Sequence, residues 1–146
     1  MNITVLRASF DRIVERHPDV TRVFYDILFE RYPQVRALFG RNTRAAQEKM
    51  LTQALALVIE HVEDASWLED TLSALGAKHA GYGVTDEMYD WVGECLIAAL
   101  AQAEGEDWTR DVEEAWLAAY GAISGTMRAA GAREAARAVR LVSVSP

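Results

Sequence analysis

Leu72-Ser73-Ala74-Leu75-Gly76-Ala77-Lys78-His79-Ala80-Gly81-Tyr82-Gly83-Val84 is the stretch on which the reading of this chain turns. Leu72, Leu75, Gly76 and His79 fall at i, i+3, i+4 and i+7, so they share one face of a helix. His79 is the last residue on that face before Gly81 and Gly83, which can end a helix in a left-handed turn. An imidazole at the end of an apolar stripe is half desolvated and needs a partner. A core hydrogen-bond acceptor is one such partner. A metal is another, because neutral imidazole is a common iron ligand. The stripe by itself leaves both readings open.

Helical periodicity continues on either side. Upstream, Ser66-Trp67-Leu68-Glu69 forms a capping box that starts the helix ending at His79. Before it, a long helix from about Arg44 to Glu63 carries Gln47, Leu51, Leu55, Val58 and Val62 on one stripe. Gly40-Arg41-Asn42-Thr43 is a loop, and Pro33 opens a short helical turn that runs to Leu38-Phe39. Two more helices come first. One spans about residues 3 to 17. The other is capped by Asp19 or Thr21 and buries Val20, Val23, Phe24, Ile27 and Leu28. Downstream, Thr85 caps a helix whose inner face is Met88, Trp91, Val92, Cys95, Leu96 and Ala99, and Gly105 stops it. Thr109 begins the last long helix, with Val112, Trp116, Ile123 and Met127 inside. No segment alternates as a strand does. The pattern predicts an all-α domain of about seven helices over residues 1–131. Residues 132–146 form the end of the last helix or a frayed tail.

Composition narrows the function classes. A chain of 146 residues with 51% hydrophobic residues can bury one substantial core. The net charge of −7 argues against phosphate-backbone binding, so no nucleic-acid partner is expected. Arg133, Arg137 and Arg140 share one face near the C-terminus, a solvated helix end or a partner patch. With Cys95 as the only cysteine, an intrachain disulfide and a paired-cysteine metal site are both excluded. Neither a secretory leader nor an apolar run of about 18 residues is present, so a cytoplasmic protein without a membrane span is expected.

The order of motifs Phe24-Tyr25, Leu28-Phe29, Tyr32-Pro33-Gln34-Val35-Arg36, Leu38-Phe39, Gln47 and Leu51 is informative. It continues through Leu75-Gly76-Ala77-Lys78-His79, Tyr82-Gly83-Val84, Tyr89, Val92-Gly93, Ala115-Trp116 and Tyr120-Gly121. Over about residues 3 to 130 this succession resembles the globin family, and within it bacterial single-domain globins similar to the haem domain of flavohaemoglobins. The resemblance implies a 3-on-3 helical sandwich around a haem b (iron protoporphyrin IX), with His79 as the iron ligand on one face. The second ring nitrogen of His79 would then be aimed at a carbonyl near Leu75. Leu75, Val84, Tyr89 and the ring of Phe39 would line the haem, and Lys78 would pair with a propionate or remain a plain surface lysine. On the opposite face the resemblance places Tyr25, Gln47 and Leu51, with Ala46 as the neighbour should the loop shift the register. A phenol O–H and an amide N–H are suitable donors to a polar diatomic ligand. His61 and His17 are rivals for the metal and are read as core or surface residues. In flavohaemoglobins the iron-bound histidine is backed by a tyrosine and an acid from the last helix. Tyr89 matches the tyrosine, but Gly131 stands at the acid position and Glu134 is out of register, which counts against fast oxidative chemistry.

Three functions follow from the resemblance. One is reversible binding of dioxygen, as carrier, store or supplier, with carbon monoxide and nitric oxide as further ligands. Another is nitric oxide dioxygenation, which needs an electron each turn. Since no glycine-rich nucleotide motif follows the globin-like region, that electron would come from a separate reductase. The third is gas sensing. A monomer or homodimer is expected.

Overall fold

The computed structural model describes residues 1–40 and 42–144. Six α-helices and two 3₁₀ stretches make up the described residues, and no strand occurs among them. The helices are α1 (Ile3–Arg16), α2 (Val20–Arg31), α3 (Arg44–Glu60), α4 (Ala65–Gly81), α5 (Asp86–Glu104) and α6 (Arg110–Val144). The 3₁₀ stretches are Pro33–Phe39 and Gly105–Asp107. Two layers result. α1 crosses α5 and α6, α3 lies on α2, and α4 lies along α6, while α2 and α6 each flank α5. This is the 3-on-3 sandwich that the helical periodicity and the family resemblance together predict.

Local chemistry sets the boundaries. The side chain of Asn2 caps α1 by accepting from the Val5 amide at 3.1 Å, and Thr43 caps α3 by accepting from Ala46 at 3.1 Å. α4 begins earlier than the Ser66 capping box suggests. Asp64 is its N-cap and accepts from the Trp67 amide at 3.0 Å, which leaves Ser66 inside the first turn. A carboxylate at the positive helix end is the stronger acceptor, so it displaces the hydroxyl two residues on. α3 stops at Glu60, three residues short of the expected Glu63, because His61 takes the C-cap. His17 follows α1 as its C-cap. Gly83 (φ +93°) supplies the left-handed residue that turns the chain from α4 into α5.

The main core gathers Leu6, Ile13, Phe24, Leu28, Cys95, Leu100, Val112 and Trp116 from α1, α2, α5 and α6. Trp116 Nε1 donates to buried Ser9 at 2.9 Å, so the indole is packed and satisfied. Glu104, almost fully buried, is held by the Arg12 guanidinium through bonds of 2.6 and 3.2 Å that join α5 to α1. A second, smaller core cluster lies apart: Leu72, Tyr89 and Met127, with Leu75, Val84, Val58, Leu68 and Ile123 against it. α4 and α6 meet there at backbone contact. A Cβ built on Gly76 would run into the carbonyl and Cα of Met127, so only glycine allows the crossing.

Candidate functional site

The Gly76 crossing fixes α4 one turn before His79. The ring of His79 is half-buried, and its Nδ1 lies 2.8 Å from the Leu75 carbonyl oxygen. A carbonyl only accepts, so Nδ1 carries the proton and donates. In a neutral ring this contact selects the Nδ1–H tautomer, which leaves the Nε2 lone pair for another partner. The helix ends within two residues. Val84 N–H donates back to the His79 carbonyl at 3.1 Å, so the turn closes under the imidazole. Lys78 is exposed and makes no ion pair among the described residues. Leu75 and Val84 are half-buried at the edge of the second cluster.

The 3₁₀ stretch links this turn to α2. A Cβ on Gly83 would lie 3.9 Å from a methyl of Leu38, so Leu38 rests against the turn that follows His79. Its neighbour Phe39 meets Tyr25 and Phe29 of α2 edge-on, with ring centroids 5.6 Å apart in both pairs. Tyr25 is buried, and its hydroxyl has no hydrogen-bond partner among the described residues. Burial pushes its pKa up to about 12, against a smaller opposing pull from Arg44, so the phenol keeps its proton. Gln47 and Leu51 lie one turn apart on α3, both half-buried, and the Gln47 amide side chain is likewise without a partner among the described residues. Ala46 is also half-buried.

Tyr89 sits in the second cluster, where the Arg128 guanidinium covers its ring at 5.2 Å and pairs with Asp90 at 2.6 Å. Gly131 packs against the Gly76 carbonyl and Ala80, and Glu134 reaches only Arg137 at 4.0 Å. The charge beside Tyr89 is therefore a cation. Its signal in the sequence was Arg128 itself, one helical turn before Gly131. The rival histidines are engaged elsewhere. His61 stacks on Trp67 with centroids 3.8 Å apart and an Nδ1 contact of 2.8 Å to the Leu57 carbonyl, and His17 is exposed. Cys95 is fully buried, which pushes its thiol pKa up to about 11. Among the described residues, no three His, Cys, Asp or Glu side chains cluster as a metal site, and no helix is long and apolar enough to cross a membrane.

One cavity of about 210 Å³ lies elsewhere, between α1, α3, α4 and α6, lined by residues such as Leu6, Leu55, Val58, Leu72 and Trp116. It holds none of His79, Tyr25 or Gln47, and shares with their helical stripes Leu55, Val58 and Val62 of α3 and Leu72 of α4. Arg44, the first residue of α3, escaped the sequence reading although its guanidinium covers both Tyr25 and Phe29.

This donor set fits a haem: one imidazole with a free Nε2, and across the aromatic cluster a neutral phenol lacking an acceptor. Comparison with known proteins agrees with the geometry. The chain is 32% identical over 122 residues to the flavohemoprotein of Bordetella pertussis, which is 82% of this chain and 30% of that protein. It thus spans about 30% of that relative's length. It is 27% identical to an engineered carbene transferase built on a nitric oxide dioxygenase candidate of Rhodothermus marinus (TM-score 0.79, covering 96% and 95% of the two chains). It is 30% identical to a flavohemoglobin of Malassezia yamatoensis solved with bound FAD and heme (TM-score 0.68, covering 90% of this chain and 36% of that one). The Globin family profile matches residues 7–127. With well over half of its length matched by that profile, the chain belongs to the globin family.

Proposed function

We propose that the chain binds haem through His79 and reversibly binds dioxygen on the opposite face, with residues 1–131 as the binding unit and 132–146 as its tail. The observation that carries this reading is the Nδ1–H of His79 committed to the Leu75 carbonyl at 2.8 Å, which presents Nε2 as the ligand atom. When bound, the haem supplies the iron that takes up the diatomic ligand. Tyr25 and Gln47 donate hydrogen bonds to that ligand, and Leu51, one turn beyond Gln47, keeps its surroundings apolar. Phe39, Leu75, Val84 and Tyr89 would give the haem its apolar lining, and the exposed Lys78 would pair with a propionate. The heme bound in the Malassezia yamatoensis flavohemoglobin supports the cofactor assignment.

A second reading, nitric oxide dioxygenation, is favoured by the match to flavohemoproteins and to the Rhodothermus marinus protein. Nitric oxide, dioxygen and one electron give nitrate, so turnover depends on a reductase. The stretch of the Bordetella pertussis flavohemoprotein that this chain matches is 30% of its length, so the electron must come from a reductase outside the matched residues. Binding over oxidation is supported by Gly131 standing where flavohaemoglobins carry an acid, with Arg128, paired to Asp90, over the Tyr89 ring.

The test is to load the purified chain with haem, record ferric, ferrous and oxygenated spectra, and add one equivalent of nitric oxide. Oxygenated protein is expected to be consumed once, giving nitrate, and to return to the ferrous state slowly with NADH alone. A flavin reductase should restore cycling. Sustained turnover with NADH alone would replace the binding reading by that of a self-sufficient enzyme. Absence of an oxygenated spectrum would remove both.

A further inference from the structure

Arg44 holds more of the site's neighbours than any residue assigned to it. Its Nη2 donates to Asp26 Oδ1 at 2.7 Å and to the Arg22 carbonyl at 2.9 Å, both on α2. Its Nε lies 3.2 Å from Glu48 Oε2 on α3, too poorly aligned for a hydrogen bond, and is buried without another partner. The guanidinium carbon stands 5.6 Å from the Tyr25 ring centroid and 5.5 Å from that of Phe29. A second cation, Arg36, covers Phe29 at 5.0 Å. One side chain thus bonds a backbone carbonyl and a carboxylate one turn apart on α2 and covers the ring whose hydroxyl lacks an acceptor.

The consequence for α3 is geometric. This helix comes close chiefly to α2, and Ile59 is its one buried residue. Between them the polar ties are Arg44 at the first turn and the Thr21–Thr52 hydroxyl contact of 3.2 Å two turns on. Gln47 lies between those ties, one turn after Arg44, and its backbone N–H donates to the Thr43 carbonyl at 3.1 Å. The distance between Tyr25 on α2 and Gln47 on α3 therefore depends on the Arg44 fork. The cation also lends positive potential to the phenol, with Asp26 and Glu48 as the opposing charges within its reach.

We infer that Arg44 is a positioning residue of the ligand site, which fixes Gln47 relative to Tyr25 and strengthens the Tyr25 hydroxyl as a donor. The inference rests on the haem reading above. Both bonds to α2 come from Nη2, and the planar guanidinium lies over two rings while making them, a stacking that a lysine ammonium does not reproduce.

The experiment compares dioxygen and carbon monoxide release from haem-loaded wild type, Arg44→Met, Arg44→Lys, Tyr25→Phe and Tyr25→Phe/Arg44→Met, with the infrared C–O stretch of each carbonmonoxy form. Arg44→Met should release dioxygen about three- to tenfold faster, with carbon monoxide release changed less than about twofold, because only the polar ligand depends on donated hydrogen bonds. Its C–O stretch should move to higher frequency as positive potential is lost. Arg44→Lys should release dioxygen as fast as Arg44→Met while keeping more of the wild-type stretch. In the Tyr25→Phe background Arg44→Met should add little. Equal acceleration of both gases, or the same factor in the Tyr25→Phe background, would show a tie between helices and overturn the inference. So would an effect of Tyr25→Phe with none of Arg44→Met, which leaves the haem reading standing. A silent Tyr25→Phe overturns the inference together with the assignment of Tyr25 as donor. Should Arg44→Met not fold, Asp26→Ala removes one of the two acceptors that hold Nη2 on α2 and is judged by the same ratio of gases, at about two- to threefold.

Discussion

Gly76 of α4 and Met127 of α6 touch backbone to backbone, and no side chain fits between them. The contact sits one helical turn before His79, so it fixes where the imidazole emerges. Gly76→Ala should therefore destabilise the chain by about 1–3 kcal/mol through overpacking that backbone atoms cannot relieve. Haem loss should accelerate in parallel. Denaturant midpoints of the apoprotein and transfer of haem to a scavenger globin measure the two effects, and an unchanged midpoint would contradict the close crossing.

His79→Ala should abolish the five-coordinate ferrous spectrum. It should also remove the stabilisation that haem gives, since haem binds the folded state alone. Optical spectra and thermal melts with and without added haem check both. An unaltered ferrous spectrum would reassign the iron ligand.

Tyr25→Phe should speed dioxygen release by about ten- to a hundredfold, the size of one lost hydrogen bond to a charged acceptor, and affect carbon monoxide less. Because burial holds the phenol protonated up to about pH 12, the wild-type release rate should be flat from about pH 6 to 10. A break in that range, absent from the phenylalanine variant, would mean that Tyr25 ionises and is not the steady donor proposed.

Stability should fall on the alkaline side. Burial raises the pKa of Tyr25 from 10.0 to about 12, raises that of Cys95 from 9.0 to about 11, and shifts Tyr89 and Tyr120 upward as well. Each group binds its proton more tightly when folded. The stabilisation is therefore complete below the unfolded values and is lost as pH climbs from about 9 through 12. Denaturation midpoints across this window should drop, and less steeply in Tyr25→Phe. A midpoint independent of pH above 9 would contradict the burial of these groups.

Much of this arrangement is legible in the amino-acid order. The stripe Leu72, Leu75, Gly76, His79 is a local, periodic signal, and an imidazole one turn beyond a helix carbonyl makes its hydrogen bond without help from the rest of the fold. Phe39 and Tyr25 are recognisable as a pair only through the spacing of the family motifs. What escaped depends on tertiary approach. Nothing in residues 43–48 tells that Arg44 will find Asp26, since that contact exists only once α3 lies on α2. Arg128 was overlooked for a similar reason, because its partner Tyr89 comes from another helix. The start of α4 was misplaced on purely local grounds: two overlapping cap signals, Asp64 and Ser66, compete, and the carboxylate prevails.

The isolation of α3 has a dynamic corollary. A helix with a single buried residue, packed chiefly on α2, is a cooperative unit that opens well before the α4–α6 pair. In native-state hydrogen exchange of the apoprotein, amides of Arg44–Glu60 should lose protection at a free energy far below that of Arg110–Met127. Cofactor capture then becomes coupled folding. The ligand side of the site assembles on a frame already standing, and part of the binding free energy is consumed in ordering the helix that carries Gln47.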